Sequence, residues 1–137
     1  MVKMNKKKVA FICVHNSCRS QMAEGFGHTL GKDVFESYSA GSEEYPEVKP
    51  LAAEVMKEIG IDVSKQYPKL IEDIPNDLDY VITMGCGVTC PMVKGANVED
   101  WGLDDPSGKS IEEFRKTRDL VEVKVKELVE RIKSSAE

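Results

Sequence analysis

The sequence predicts an α/β fold built on a parallel sheet with right-handed crossovers. Two observations carry that prediction: apolar runs of strand length alternate along the chain with stripes of helical period, and no internal repeat or low-complexity segment breaks the alternation. The 137 residues match one domain spanning 1–137. With 41% apolar and 31% charged residues, such a chain buries an adequate core without covalent staples.

Residues 7–13 read as a buried strand, because Val9-Ala10-Phe11-Ile12 is apolar without alternation. From Ser20 to Leu30 the pattern is helical, and Gly31 is a stop. Val34 to Ser39 alternates as a second strand and ends at Ala40-Gly41. Pro46 and Pro50 flank a polar loop; Leu51, Val55, Met56 and Ile59 then form a helical stripe closed by Gly60. A short helix is expected at 69–73, a third strand at Tyr80–Met84 and a short fourth within Val98–Leu103. Residues 111–132 read as a long amphipathic helix with Phe114, Leu120, Val121, Val125, Leu128 and Ile132 on its inner face.

The net charge of −5 argues against nucleic acid as the main partner, since a phosphate backbone needs a basic footprint. The lysine-rich start has the charge of a secretory leader, but the apolar stretch after it is too short for one. No segment approaches the roughly 18 apolar residues of a membrane span. The expectation is a cytoplasmic, monomeric protein with no membrane association. In that compartment its four cysteines (Cys13, Cys18, Cys86 and Cys90) read as catalytic, metal-binding or buried thiols rather than structural disulfides.

Sheets of this kind bind ligands at the carboxyl ends of their strands, where both Cys13 and the segment Met84–Cys90 fall. The run Cys13-Val-His-Asn-Ser-Cys-Arg19 joins a strand to a helix. Its backbone N–H groups, from Val14, His15, Asn16, Ser17, Cys18 and Arg19, can wrap one tetrahedral oxyanion at the positive end of the helix dipole. The Arg19 fork matches two oxygens of that anion. The same field lowers a thiol pKa, making Cys13 the candidate nucleophile. Ser20 can donate to its thiolate, and Asn16 can hold the loop through side-chain bonds to backbone. The second element, Trp101-Gly-Leu-Asp-Asp-Pro-Ser-Gly108, is either an ordinary turn before the last helix or a loop that offers Asp105 as a general acid.

Together, Cys13-x5-Arg19-Ser20, the continuation Gln21-Met22-Ala23-Glu24, Ser39-Ala40-Gly41 and Asp105-Pro106 resemble the low-molecular-weight tyrosine phosphatase superfamily over nearly the whole chain. The resemblance implies a four-stranded parallel sheet flanked by helices on both faces, with Cys13, Arg19 and Asp105 in the roles just given.

A third element separates two branches. Met84-Gly-Cys-Gly-Val-Thr-Cys-Pro91 places two thiols four positions apart beyond the third strand. They read as buried small residues, as a zinc site with Cys13 or Cys18, or as a redox relay. A phosphate pocket also accepts arsenate, and the relay reading resembles the thioredoxin-coupled arsenate reductases of the same superfamily, whose three working cysteines match Cys13, Cys86 and Cys90. That resemblance implies arsenate as substrate, thioredoxin or glutaredoxin as reductant, and no cofactor. The phosphatases carry an aromatic wall soon after Asp-Pro, where this chain has Ser107-Gly108, which favours a small inorganic anion. The order of attack by Cys86 and Cys90 stays open, because their gap of three residues is shorter than that of the best-known branch. That branch also binds potassium. Asn16, Glu24 and Ser39 match three of its ligands, while Lys69 stands at the fourth, so no metal is expected here. The alternatives are a phosphatase using the same Cys-x5-Arg pocket, and a sensor that closes a disulfide without turnover. Cys18 is expected to be a buried small residue, and His28 to lie on a helix surface.

Overall fold

The computed structural model describes residues 7–13, 15–43, 46–75, 77–84, 97–106 and 108–135. Four parallel strands, β1 (Lys7–Cys13), β2 (Phe35–Gly41), β3 (Tyr80–Thr83) and β4 (Asn97–Asp100), lie in the order β2-β1-β3-β4. The helices are α1 (Arg19–Leu30), α2 (Pro50–Glu58) and α3 (Ile111–Ser135), with a 3-10 turn at Ile71–Asp73. The expected four-stranded parallel α/β sheet is therefore present, and every predicted element appears in its place.

Side chains of β1 alternate between two apolar layers. Val9, Phe11 and Cys13 meet one cluster with Met22, Ala23 and Phe26 of α1, Val55 and Met56 of α2, and Val121, Val125 and Leu128 of α3. Ala10 and Ile12 meet the other, with Ala40, Val81, Ile74 and Leu78, so among the described residues this second face is covered by the 3-10 turn and the residues just beyond it. The strand pattern was unbroken hydrophobicity because both faces of β1 are buried.

Several boundaries differ from the sequence reading. β2 runs on to Gly41 because its ladder to β1 continues to the pair Cys13↔Gly41. α2 stops at Glu58, leaving Ile59 41% exposed rather than on the inner stripe; Gly60 follows with φ +83, the left-handed stop that the glycine predicted. Leu120 is 55% exposed, not inward. It sits one residue, about 100°, from Val121 on the helical wheel, which takes it off the stripe formed by Phe114, Val121, Val125, Leu128 and Ile132. Thr117 and Arg118 are buried instead.

α1 is unusual in burying almost everything from Arg19 to Gly27, polar side chains included. It lies so close to β2 that a Cβ on Gly27 would stand 2.3 Å from the Ser37 hydroxyl, so only glycine permits this approach. That depth lets the polar side chains of its first two turns support the loop that precedes it.

Candidate active site

The 13–19 loop leaves β1 at its carboxyl end and enters α1 directly. Ser42 N–H donates to the Cys13 carbonyl and Lys49 N–H to the Ser17 carbonyl, so the segments after β2 and before α2 brace the loop from outside. Asn16 turns the chain at φ +53, the left-handed region that asparagine tolerates better than most residues. Fully buried, it receives Lys69 N–H on Oδ1 at 2.9 Å and donates from Nδ2 to Ser20 Oγ at 2.8 Å. Gln21 Nε2 donates to the Asn16 carbonyl at 2.8 Å and to the Tyr67 carbonyl at 3.0 Å; Gln66 in turn donates to Gln21 Oε1. The predicted loop-holding role of Asn16 therefore has a geometric basis. Ser20 Oγ accepts from Asn16 and keeps its own proton to give.

Arg19 is 4% exposed and spends its guanidinium on three chain segments. NH1 donates to the carbonyls of Met84 at 2.8 Å and Leu103 at 2.6 Å, while NH2 lies 3.2 Å from Cys13 Sγ and 3.7 Å from Asp105 Oδ2. Its Nε is, among the described residues, the one buried side-chain nitrogen or oxygen atom with no hydrogen-bond partner. A buried orphan donor costs about 1–3 kcal/mol, so this N–H asks for an acceptor. The guanidinium thus sets a fixed positive charge beside Sγ. Asp105 is half exposed on its loop and Pro106 beside it is buried, so the backbone is anchored while the carboxyl stays at the mouth.

Cys18 is 3% exposed, and burial pushes its thiol far up, with Asp105 adding to the shift and the Arg19 guanidinium opposing it. It remains a neutral thiol facing the core. His15 reaches out to Glu43 Oε1 at 3.2 Å, both largely in solvent. His28 is on the helix surface as expected, yet it has a partner that the sequence reading did not find, Glu24 Oε2 at 2.9 Å.

Glu24, Ser39, Asn16 and Lys69 converge below the loop. Glu24 accepts from the Ser39 hydroxyl, and the Lys69 ammonium lies 3.4 Å from Glu24 Oε1 and donates to the Tyr67 carbonyl at 2.9 Å. Burial pushes the Glu24 carboxyl up, but hydrogen bonds from His28 and Ser39 and the charge of Lys69 outweigh it and hold the group below the ordinary carboxylate range. A potassium ion does not fit this donor set, because a second cation would stand against the lysine ammonium.

The sequence reading missed the carbonyls of Met84 and Leu103 as partners of Arg19, and backbone acceptors carry no sequence signal. It also gave no role to the Gln66–Gln21 relay under the loop. Val14, Cys86, Cys90 and Ser107 lie outside the described residues. No group of histidine, cysteine, aspartate or glutamate side chains able to hold a metal occurs among the described residues.

A thiol and an arginine six positions apart, on one loop at the carboxyl end of a parallel sheet, are the candidate site of this fold. The chain belongs to the low-molecular-weight phosphotyrosine protein phosphatase family, whose model matches residues 8–137. It is 46% identical over 130 residues to a glutaredoxin arsenate reductase of Synechocystis, covering 92% of this chain and 98% of that protein. A solved arsenate reductase in its phosphate-binding state superposes with a TM-score of 0.85 at 45% identity, over 92% of this chain and 98% of that one. The thioredoxin-dependent arsenate reductase of Corynebacterium glutamicum superposes with a TM-score of 0.80 at 35% identity, over 98% of this chain and 65% of that one. No described helix is long and apolar enough to cross a membrane.

Proposed function

We propose that this protein is an arsenate reductase, acting as a single cytoplasmic monomeric domain. The observation that carries the reading is the buried Arg19 guanidinium, with one donor on Cys13 Sγ and an unpartnered Nε beside it. Nucleophile and anion receptor are thus one unit in this reading, with a buried donor left for an oxyanion.

In the proposed reaction the Cys13 thiolate attacks arsenic(V), held by Arg19 and the amides of residues 14–19. The departing oxygen takes a proton from Asp105 and leaves as water. Ser20 and Asn16 hold the thiolate and the loop. A second thiolate, from Cys86, then attacks Cys13 Sγ. The electron pair of the S–As bond passes to arsenic, arsenite leaves, and a Cys13–Cys86 disulfide remains. Attack by Cys90 on Cys86 moves the disulfide to that pair and frees Cys13. The external reductant is a dithiol protein. The Corynebacterium relative is thioredoxin-dependent and the Synechocystis relative uses glutaredoxin; we assign thioredoxin. The ammonium of Lys69 beside Glu24 takes the place of a metal.

The test mixes reduced protein, arsenate, thioredoxin, thioredoxin reductase and NADPH, with a parallel arm of glutaredoxin, glutathione and glutathione reductase. Arsenate-dependent NADPH oxidation that vanishes in Cys86→Ser and in Cys90→Ser is expected. Aryl phosphate hydrolysis with no arsenate-dependent oxidation in either arm would sink the reading in favour of the phosphatase.

A further inference from the structure

The chain leading to Asp105 is tied down by a carboxylate on β4. Glu99 accepts both ends of the Arg131 fork from α3, at 2.9 Å on Oε1 and 2.8 Å on Oε2. Oε2 also accepts the indole N–H of Trp101 at 2.7 Å. One carboxylate thus joins the last strand, the last helix and the root of the loop that carries Asp105. A bidentate arginine on the carboxylate leaves Glu99 ionised, and Arg131 with Trp101 holds it below the ordinary carboxylate range.

Trp101 is 8% exposed, and its ring lies 5.6 Å from that of Phe11, two residues before Cys13 on the same face of β1. The backbone N–H of Trp101 continues the sheet ladder onto the Thr83 carbonyl, and the backbone N–H of Leu103 follows onto the Met84 carbonyl. Between them Gly102 turns at φ +59. Leu103 then gives its carbonyl to Arg19. The loop is therefore pinned at residues 101 and 103, one pin set by Glu99 and the other by the catalytic arginine.

We infer that Glu99 is a positioning residue for the proposed reaction: through the Trp101 indole, and with Arg131 as its own anchor, it sets where the Asp105 carboxyl stands over Cys13. The inference rests on the assignment of Asp105 as general acid. A general acid contributes about 10²–10⁴-fold only when it lies within hydrogen-bond reach of the leaving oxygen, so a loop free to swing forfeits part of that factor. Glutamine cannot replace Glu99, because its amide nitrogen would face the Arg131 donors.

The test compares Glu99→Gln, Trp101→Phe and Arg131→Gln with the parent, each in the Asp105 and Asp105→Asn backgrounds. In the Asp105 background kcat for arsenate is expected to fall about tenfold in Glu99→Gln and Trp101→Phe, and less in Arg131→Gln, with KM for arsenate within about twofold. In the Asp105→Asn background the same changes are expected to cost almost nothing, because the residue they position is gone. Losses that persist in full without Asp105, or that appear in KM instead of kcat, would overturn the inference. Trp101 is the only tryptophan of the chain, so its emission provides a reading independent of turnover. Glu99→Gln and Arg131→Gln are expected to shift it to the red and to raise quenching by acrylamide. Unchanged emission in both would overturn the clasp even where the parent protein reduces no arsenate. A parent without arsenate turnover but with the shifted emission in the variants would instead overturn the functional reading and leave the clasp standing.

Discussion

Two polar clusters of similar size sit in this molecule and behave oppositely. Under the anion loop, Asn16, Ser20 and Gln21 are fully buried and hydrogen-bonded to one another or to backbone. On the outside, Glu58 of α2 takes the Nε and Nη2 donors of the Arg115 fork from α3, and one Nη1 donor from the buried Arg118. The outer cluster forms more ion-pair contacts, yet water competes for those that Arg115 makes with Glu58 and Glu112. In the inner cluster an unmade hydrogen bond has no solvent to fall back on, so each partner fixes the geometry of the next. The chemistry is built where polar groups are expensive to leave unpaired, and the charged surface only trims stability.

The strongest way to break this contrast is Arg19→Lys. A lysine keeps the charge but loses the fork that serves Met84, Leu103 and the anion at once. kcat/KM for arsenate is expected to fall about 10²–10³-fold in the coupled assay. Near-parent turnover would show that charge alone suffices and that the buried geometry is incidental.

Asn16→Ala comes next. It removes two side-chain bonds and places a Cβ-bearing residue without a local hydrogen bond at φ +53. Urea unfolding is expected to show a loss of about 3 kcal/mol. Asn16→Gly should recover about 1 kcal/mol of that, the backbone share.

Glu24→Gln sharpens the comparison through pH. The folded-state pKa of Glu24 is depressed, so its contribution is present above the unfolded value of about 4.3 and is lost as pH falls through the lower folded value. The variant is expected to be about 2 kcal/mol less stable at pH 7, with the gap to the parent closing in acid below that window. A gap that is constant from neutral pH down to acid would deny the carboxylate its role. Beside it, exchange of sodium for potassium at equal ionic strength should move Tm by less than about 1 °C, because Lys69 already supplies the cation. The smallest effect belongs to the outer cluster: Arg115→Ala should leave Tm within about 2 °C of the parent, read by thermal unfolding.

The core of the candidate site was legible because its parts are local. Cys13 and Arg19 share one loop, and flanking apolar runs announce the strand and the helix that it joins. Asp105 was legible as a turn with an acid in it, though not its 3.7 Å approach to Arg19. Leu120 misled because it is apolar and next to the true stripe, yet about 100° from Val121 around the helix, which leaves it exposed. His28 and Glu24 are an i,i+4 pair, readable in principle from their spacing on one helix face.

By itself the sequence determined the order of strands and helices, the Cys-x5-Arg loop and the family to which that loop points, because periodicity and short-range spacing are properties of neighbouring residues. Only the tertiary structure decided that Arg19 would grip the carbonyls of Met84 and Leu103 and that Glu99 would hold Trp101 with a fork from α3. The physical reason is common to both. Each contact joins groups brought together by the strand order β2-β1-β3-β4, by the ladder that runs on past β4, and by the packing of helices and loops on it, and a backbone carbonyl or a surface arginine has no local pattern that says what it will meet.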